Sequence, residues 1–176
     1  MTNLKYQLVP YTDPDLRQKL LPFDFNSEID PSEIARDLAE HMLAFNGIGL
    51  SANQLGLSYR AFAIKSNPIL VCFNPRVVDQ SEETILLEEG CLSFPGIFLK
   101  IKRPEVIKVR YQQPDGKTMT KKFGGITARI FLHELDHLDG ICLVDHACRT
   151  KLQLAIKKSK TQYNKEYALG SLVINS

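Results

Sequence analysis

Val106-Ile107-Lys108-Val109-Arg110-Tyr111, then Asp115-Gly116, then Lys117-Thr118-Met119-Thr120-Lys121-Lys122-Phe123, reads as a β-hairpin. Val106, Lys108 and Arg110 alternate with Ile107, Val109 and Tyr111, the two-residue period of a strand with one apolar face. Asp115-Gly116 is a tight-turn pair. The period then changes to that of a helix, from about Ile126 to Asp139, which Gly140 ends. Upstream lie further short β-prone runs, Ala61–Ile64, Ile69–Phe73 and Ile85–Leu87. Before them the sequence predicts a helix with Asp30 as cap, Pro31 in its first turn and Glu33 completing the cap. Ile34, Leu38, Met42 and Phe45 form its core stripe and Gly47 stops it. His41, beside that stripe, reads as a satisfied helix histidine. The first 30 residues, punctuated by Pro10, Pro14 and Pro22, read as an irregular arm. A C-terminal helix is expected over about 151–169, with Leu152, Ile156 and Tyr163 on one side. The order helix, several strands, helix, helix argues for an α+β fold and against a doubly wound parallel sheet. No linker divides the chain, so residues 1–176 are read as one domain, with antiparallel or mixed sheets around the second helix.

The composition agrees. The chain has 176 residues, 44% hydrophobic and 24% charged, enough for one self-sufficient core. A net charge of +2 is too small to argue for DNA binding, and no apolar run could span a bilayer. The opening residues lack the apolar core of a signal peptide, so a cytoplasmic location is expected and Cys72, Cys91, Cys142 and Cys148 are read as reduced thiols. Without a C-x-x-C pair, each cysteine defaults to a small buried hydrophobe.

The second helix carries His133-Glu134-Leu135-Asp136-His137, an H-E-x-x-H. Residues four apart share a helix face, so both imidazoles can reach one metal ion, and Glu134 beside them can take a proton from metal-bound water. A catalytic site generally needs a third protein ligand. Asp136 points about 100° away and reads as a supporting carboxylate. Spacing leaves His146, Cys148 and Cys91 open; Cys91 lies in Glu89-Gly90-Cys91-Leu92-Ser93, where glycine holds an irregular backbone that can aim a thiolate. A third feature is Gly47-Ile48-Gly49-Leu50-Ser51-Ala52-Asn53-Gln54. Its glycine spacing fails the dinucleotide pattern, so alone it reads as a turn, with Gln54 a potential donor to an oxyanion.

Together and in this order, the three segments resemble the motifs of the peptide deformylases: a glycine-rich stretch ending in Gln54, an intact E-G-C-L-S from Glu89 to Ser93, and H-E-x-D-H-L-x-G from His133 to Gly140. Leu132 stands where the family usually has Gln, and Ser51 where it usually has Ala. The resemblance implies removal of the formyl group from N-formyl-methionine on new polypeptides. It implies Cys91, His133 and His137 as ligands of one divalent metal, Fe²⁺ in the cell, with Zn²⁺, Ni²⁺ or Co²⁺ in preparations. Glu134 is then the general base, and Gln54 and the Leu92 backbone N–H stabilise the oxyanion. It implies a substrate lying as an added strand along Ile48, Gly49 and Gly90, and a methionine pocket of Ile48, Ile130 and His133, with Arg103 supporting the cleft.

Two rivals remain at this level, a metallopeptidase cutting internal bonds and a binding module without turnover. E-G-C-L-S opposes the first, and retention of Glu134 and the ligands opposes the second. Arg149, Lys151, Lys157, Lys158, Lys160 and Lys165 make the C-terminal helix basic, which fits weak docking on ribosomal RNA or a plain solvated face. Bacterial cytoplasm, a phage-infected bacterium or an organelle would each supply formylated chains.

Overall fold

The computed structural model describes residues 4–160 of the chain. The alternation of residues 106–111 is realised in the sheet: Ile107, Val109 and Tyr111 are buried and Lys108 and Arg110 exposed. The elements are α1 (Pro31–Ala44), β1 (Gly49–Ser51), β2 (Ala61–Ile64), β3 (Leu70–Gln80), β4 (Thr84–Cys91), β5 (Phe94–Pro104), β6 (Val106–Gln112), β7 (Thr118–Gly124) and α2 (Gly125–Leu138). Residues 149–160 form a further helix, α3. Strands β1-β2-β3-β6-β7 make one antiparallel sheet in that order, and β4-β5 a separate antiparallel ribbon. The β6–β7 turn closes with Gly116 at φ +80° and the Gln113 N–H bonded to the Lys117 carbonyl at 2.9 Å.

The four-residue strand β2 explains the layering. Phe62 and Ile64 join Ala128, Ile130, Phe131 and Leu138 of α2 in one core cluster. Ala61 and Ala63, on the other face, join Ile34, Leu38 and Met42 of α1 in a second. The sheet is therefore covered on both faces at β2, and a strand buried on both faces has no polar alternation to show. Phe131 meets Phe62 edge-on at 5.0 Å between ring centroids, and truncating such a buried ring to alanine costs about 3–5 kcal/mol. α2 also packs on β5, so it lies between sheet and ribbon, the α+β arrangement with a central motif-bearing helix.

The N-terminal arm has little regular structure beyond the 3-10 turn Pro14–Arg17. It is strapped to the end of α2: the Leu20 N–H donates to the Leu138 carbonyl at 2.9 Å. A Cβ on Gly140, at φ +74°, would meet the Arg17 carbonyl carbon at 2.8 Å, so the glycine that ends α2 also admits the arm.

Several expectations need correction. Asp30 caps α1 by accepting from the Ser32 N–H, but the Glu33 carboxylate pairs with Lys5 instead of closing the cap. Asn46, at φ +55°, takes the left-handed position after α1 that was expected of Gly47. The motif around Ser51 is a strand plus a 3-10 turn (Ala52–Leu55), and β5, whose residues from Phe98 to Arg103 alternate exposed and buried, is not among the expected strands. On α3, Leu152 and Ala155 turn inward and Ile156 is exposed; Tyr163 and the rest of the expected helix lie outside the described residues. Cys148 is exposed, contrary to the buried default. His41 is satisfied as expected, its Nε2 accepting from the Tyr6 N–H at 3.0 Å and its Nδ1 donating to the Asp37 carbonyl at 2.7 Å.

Candidate metal centre and cleft

α2 carries His133, Glu134 and His137 toward the β4–β5 ribbon. The ribbon's register slips between Gly90 and Cys91, and this irregularity turns Cys91 toward the helix. The Cys91 Sγ lies 3.2 Å from His137 Nε2, and the ligand atoms of Cys91, His133 and His137 all lie within 4.8 Å of one another. Tetrahedral coordination with bonds of ~2.0–2.3 Å requires ligand atoms about 3.3–3.6 Å apart, so the set fits a transition-metal ion with small adjustments. The alternatives that spacing left open are engaged or turned away: His146 Nε2 is 2.7 Å from Asp136 Oδ2, and Cys148 is exposed.

Behind His133 stands a buried carboxylate, Glu89. Its Oε2 is 3.0 Å from His133 Nδ1. Arg103 grips the same carboxylate through Nε (2.6 Å) and Nη2 (2.9 Å), and Arg129 Nη1 adds a bond of 2.6 Å. Burial opposes ionisation of Glu89, but His133 and Arg103 outweigh it and hold the carboxyl at about 2. Arg103 extends to Asp136 at 2.8 Å, and Arg129 to the carbonyls of Ile101 (3.0 Å) and Ile85 (2.6 Å), tying α2 to both ribbon strands. Sequence reasoning placed Glu89 only within a motif and missed Arg129 as its partner. The pairing spans 40 residues, and only burial reveals it.

The two imidazoles sit in different fields. Burial and the charges of His133, Arg103 and Arg17 push His137 down to about 3, leaving it neutral with a lone pair for coordination. Burial also opposes charge on His133, yet hydrogen bonds to Cys91 and Glu89 raise it to about 10. An ion taking that nitrogen therefore displaces a proton. Burial pushes the Glu134 carboxyl up to about 7, and its Oε2 has no partner among the described residues. A carboxylate poised near neutrality and free to accept is suited to general-base work.

Gln54 is buried with its amide oriented on both sides. Oε1 accepts from the Ser51 N–H at 3.0 Å, while Nε2 faces Ser93 Oγ at 3.0 Å and Cys91 Sγ at 3.6 Å. Over these groups opens a cleft of about 460 Å³ whose walls include Ile48, Gly49, Gly90, Leu92, Ile130 and His133. Its two sides are β1, at the edge of the sheet, and β4, one strand of the ribbon, so unpaired backbone borders the cleft on both. Gly49 is forced: a Cβ there would meet the Glu134 carboxyl carbon and Ile130 Cγ2, each at 2.8 Å. Of the residues expected around substrate, only Arg103 is absent from the walls; it supports them from behind through Glu89. Leu132 packs against the core of α2 and the sheet.

Known proteins share this arrangement. The polypeptide deformylase family model matches residues 5–153. A peptide deformylase of Thermotoga petrophila is 39% identical over 158 residues, covering 87% of this chain and 93% of the relative. The crystal structure of a peptide deformylase from Synechococcus elongatus in complex with actinonin superposes with a TM-score of 0.84 at 29% identity, covering 91% of this chain and 90% of that one. The Thermotoga maritima peptide deformylase superposes at 0.77 with 36% identity, over 81% of this chain and 97% of that one. With sequence and fold matched over most of its length, the chain belongs to the polypeptide deformylase family, metal-dependent enzymes that remove the N-formyl group from nascent peptides.

Proposed function

We propose that Cys91, His133 and His137 hold one divalent ion and that this site performs the deformylation. The observation that carries the reading is the convergence of those three ligand atoms beside a buried, unpartnered Glu134 carboxylate oxygen. An ion held there supplies Lewis acidity, activating water and polarising the formyl carbonyl. Glu134 takes the proton of the attacking water and then delivers one to the departing amine, so formate and a free amino terminus are the products. The Gln54 amide and the Leu92 backbone N–H donate to the formyl oxygen as charge builds on it; one such donor is typically worth about 10²–10³ in rate. The peptide lies as an added strand against the backbone of Ile48, Gly49 and Gly90, with its methionine side chain against Ile48, Ile130 and His133. Arg103 steadies this wall through Glu89.

By ligand chemistry alone Zn²⁺ would outbind Fe²⁺ at a two-imidazole, one-thiolate site. We assign Fe²⁺ in the cell from the resemblance, with Zn²⁺, Ni²⁺ or Co²⁺ in preparations. We take the chain as one catalytic domain acting in the cytoplasm; among the described residues no helix is long and apolar enough to cross a membrane. Exposed Arg149, Lys151, Lys158 and Lys160 on α3 leave weak docking on ribosomal RNA as a secondary reading, and unchanged ribosome co-sedimentation after removal of α3 and the residues beyond it would end it.

The test is formate release from a short formyl-Met peptide by anaerobically prepared, Fe²⁺-loaded protein, beside Glu134→Ala. Turnover in the parent and its loss in a variant that still binds metal supports the assignments. Undiminished turnover in the variant removes Glu134 as base, and cleavage of internal bonds would favour the metallopeptidase reading.

A further inference from the structure

Ser51 and Asn53 are both buried, and their protons can be counted. The Ser51 hydroxyl lies 2.9 Å from Asn53 Oδ1 and 3.0 Å from Gln54 Oε1, and it has one proton for two acceptors. Gln54 Oε1 already receives the Ser51 backbone N–H at 3.0 Å. Asn53 Oδ1 has no other donor among the described residues, and a buried carbonyl left unserved is costly, so the hydroxyl proton goes to Asn53. The His137 carbonyl, which can only accept, fixes which way up the Asn53 amide stands: Nδ2 donates to it at 2.7 Å, which leaves Oδ1 toward the Ser51 hydroxyl. The reversed amide would set two oxygens against each other. The His137 carbonyl, in the last turn of α2, otherwise receives the Gly140 N–H at 3.1 Å, beyond the end of the helix.

We propose that Ser51 and Asn53 act as a pair of positioning residues for the metal site, in which the serine hydroxyl satisfies and holds the asparagine carbonyl and the amide anchors the backbone of His137. The anchor sets the height at which His137 Nε2 meets Cys91 Sγ, a separation of 3.2 Å. The same anchor accounts for the serine, since removing its hydroxyl would leave the buried Asn53 carbonyl without a donor. Groups that orient a ligand from behind typically change metal affinity or activity by about 10–100-fold when lost. The inference rests on the reading of Cys91, His133 and His137 as ligands.

Co²⁺ reports on both affinity and geometry. Metal-stripped parent, Ser51→Ala, Asn53→Ala and the double variant are titrated with Co²⁺ against a chelator, and the visible ligand-field bands are recorded. Asn53→Ala is expected to weaken Co²⁺ about 10-fold and shift the bands, and Ser51→Ala to weaken it about 3–10-fold. The double variant should match Asn53→Ala alone, because the serine acts only through the asparagine. Parental affinity and bands with only a lower thermal midpoint would reduce the pair to a structural role and overturn the inference, as would additive losses. If Asn53→Ala does not fold, Ser51→Ala decides by the same two readouts. His137→Ala separates the underlying reading: if it binds Co²⁺ like the parent, the ligand assignment fails and the inference falls with it.

Discussion

The Glu89 carboxylate lies 3.0 Å from His133 Nδ1 and is held there by two buried guanidiniums, Arg103 and Arg129. Once an ion has displaced the second proton, a neutral imidazole that donates through Nδ1 to Glu89 carries its lone pair on Nε2, so Glu89 selects the tautomer that can coordinate. Glu89→Gln keeps the shape but removes the charge that two guanidiniums require. Breaking a buried ion pair from one side costs about 3–5 kcal/mol, and loss of a carboxylate behind a ligand histidine costs about 10–100-fold in metal affinity. Chemical denaturation and chelator competition on this variant should show both losses; an unchanged metal affinity would mean that the tautomer is set elsewhere.

Glu89 also predicts an acid limb of stability. Its carboxyl is at about 2 when folded, below the ordinary value of about 4.3. A depressed folded value stabilises the protein fully above the unfolded value and loses that contribution as pH falls toward 2. The difference corresponds to about 3 kcal/mol. Denaturant unfolding measured from pH 5 down to pH 2 should show the parent losing stability toward Glu89→Gln. Parallel curves across that window would contradict the assignment.

Gly49 predicts a defect in chemistry with the metal retained. A methyl group there cannot fit unless the Glu134 carboxylate or Ile130 withdraws. Displacing a reacting group by about 1 Å can cost ~10²-fold. Gly49→Ala should therefore lower kcat/KM by about that factor while binding metal like the parent. Normal turnover would show that the carboxylate has slack the packing does not suggest.

These residues mark how far the sequence can be read. The helix stripes, the β6–β7 hairpin and the two histidines four apart are local periodicities, and each stands where its period puts it. Cys91 was one of three open candidates by spacing: Gly90 marks an irregular backbone, but the slip in register that aims the thiol depends on the pairing of β4 with β5. Glu89, Arg129 and Asn53 were hidden for a related reason. Their roles come from partners as far as 84 residues away, and a charged or amide residue looks the same in sequence whether solvated or buried. Short elements with no polar face, such as β1, carry no alternation to detect.

Leu132 stands where the family usually has Gln, and the structure gives it a place in packing. One residue before His133, it is half-buried against the core cluster shared by α2 and the sheet, and it takes no part in the walls of the cleft. A leucine so placed serves packing. Leu132→Gln would put an amide into that apolar seat, at a cost of about 1–3 kcal/mol. It should lower the denaturation midpoint while leaving kcat and Co²⁺ affinity within about twofold of the parent, as expected when a substitution touches packing alone. Steady-state kinetics, chelator competition and denaturant titration on the one variant separate the effects. A several-fold gain in metal affinity would show that the glutamine reaches the ligand shell after all, and that this leucine tunes the site by leaving it without a polar neighbour.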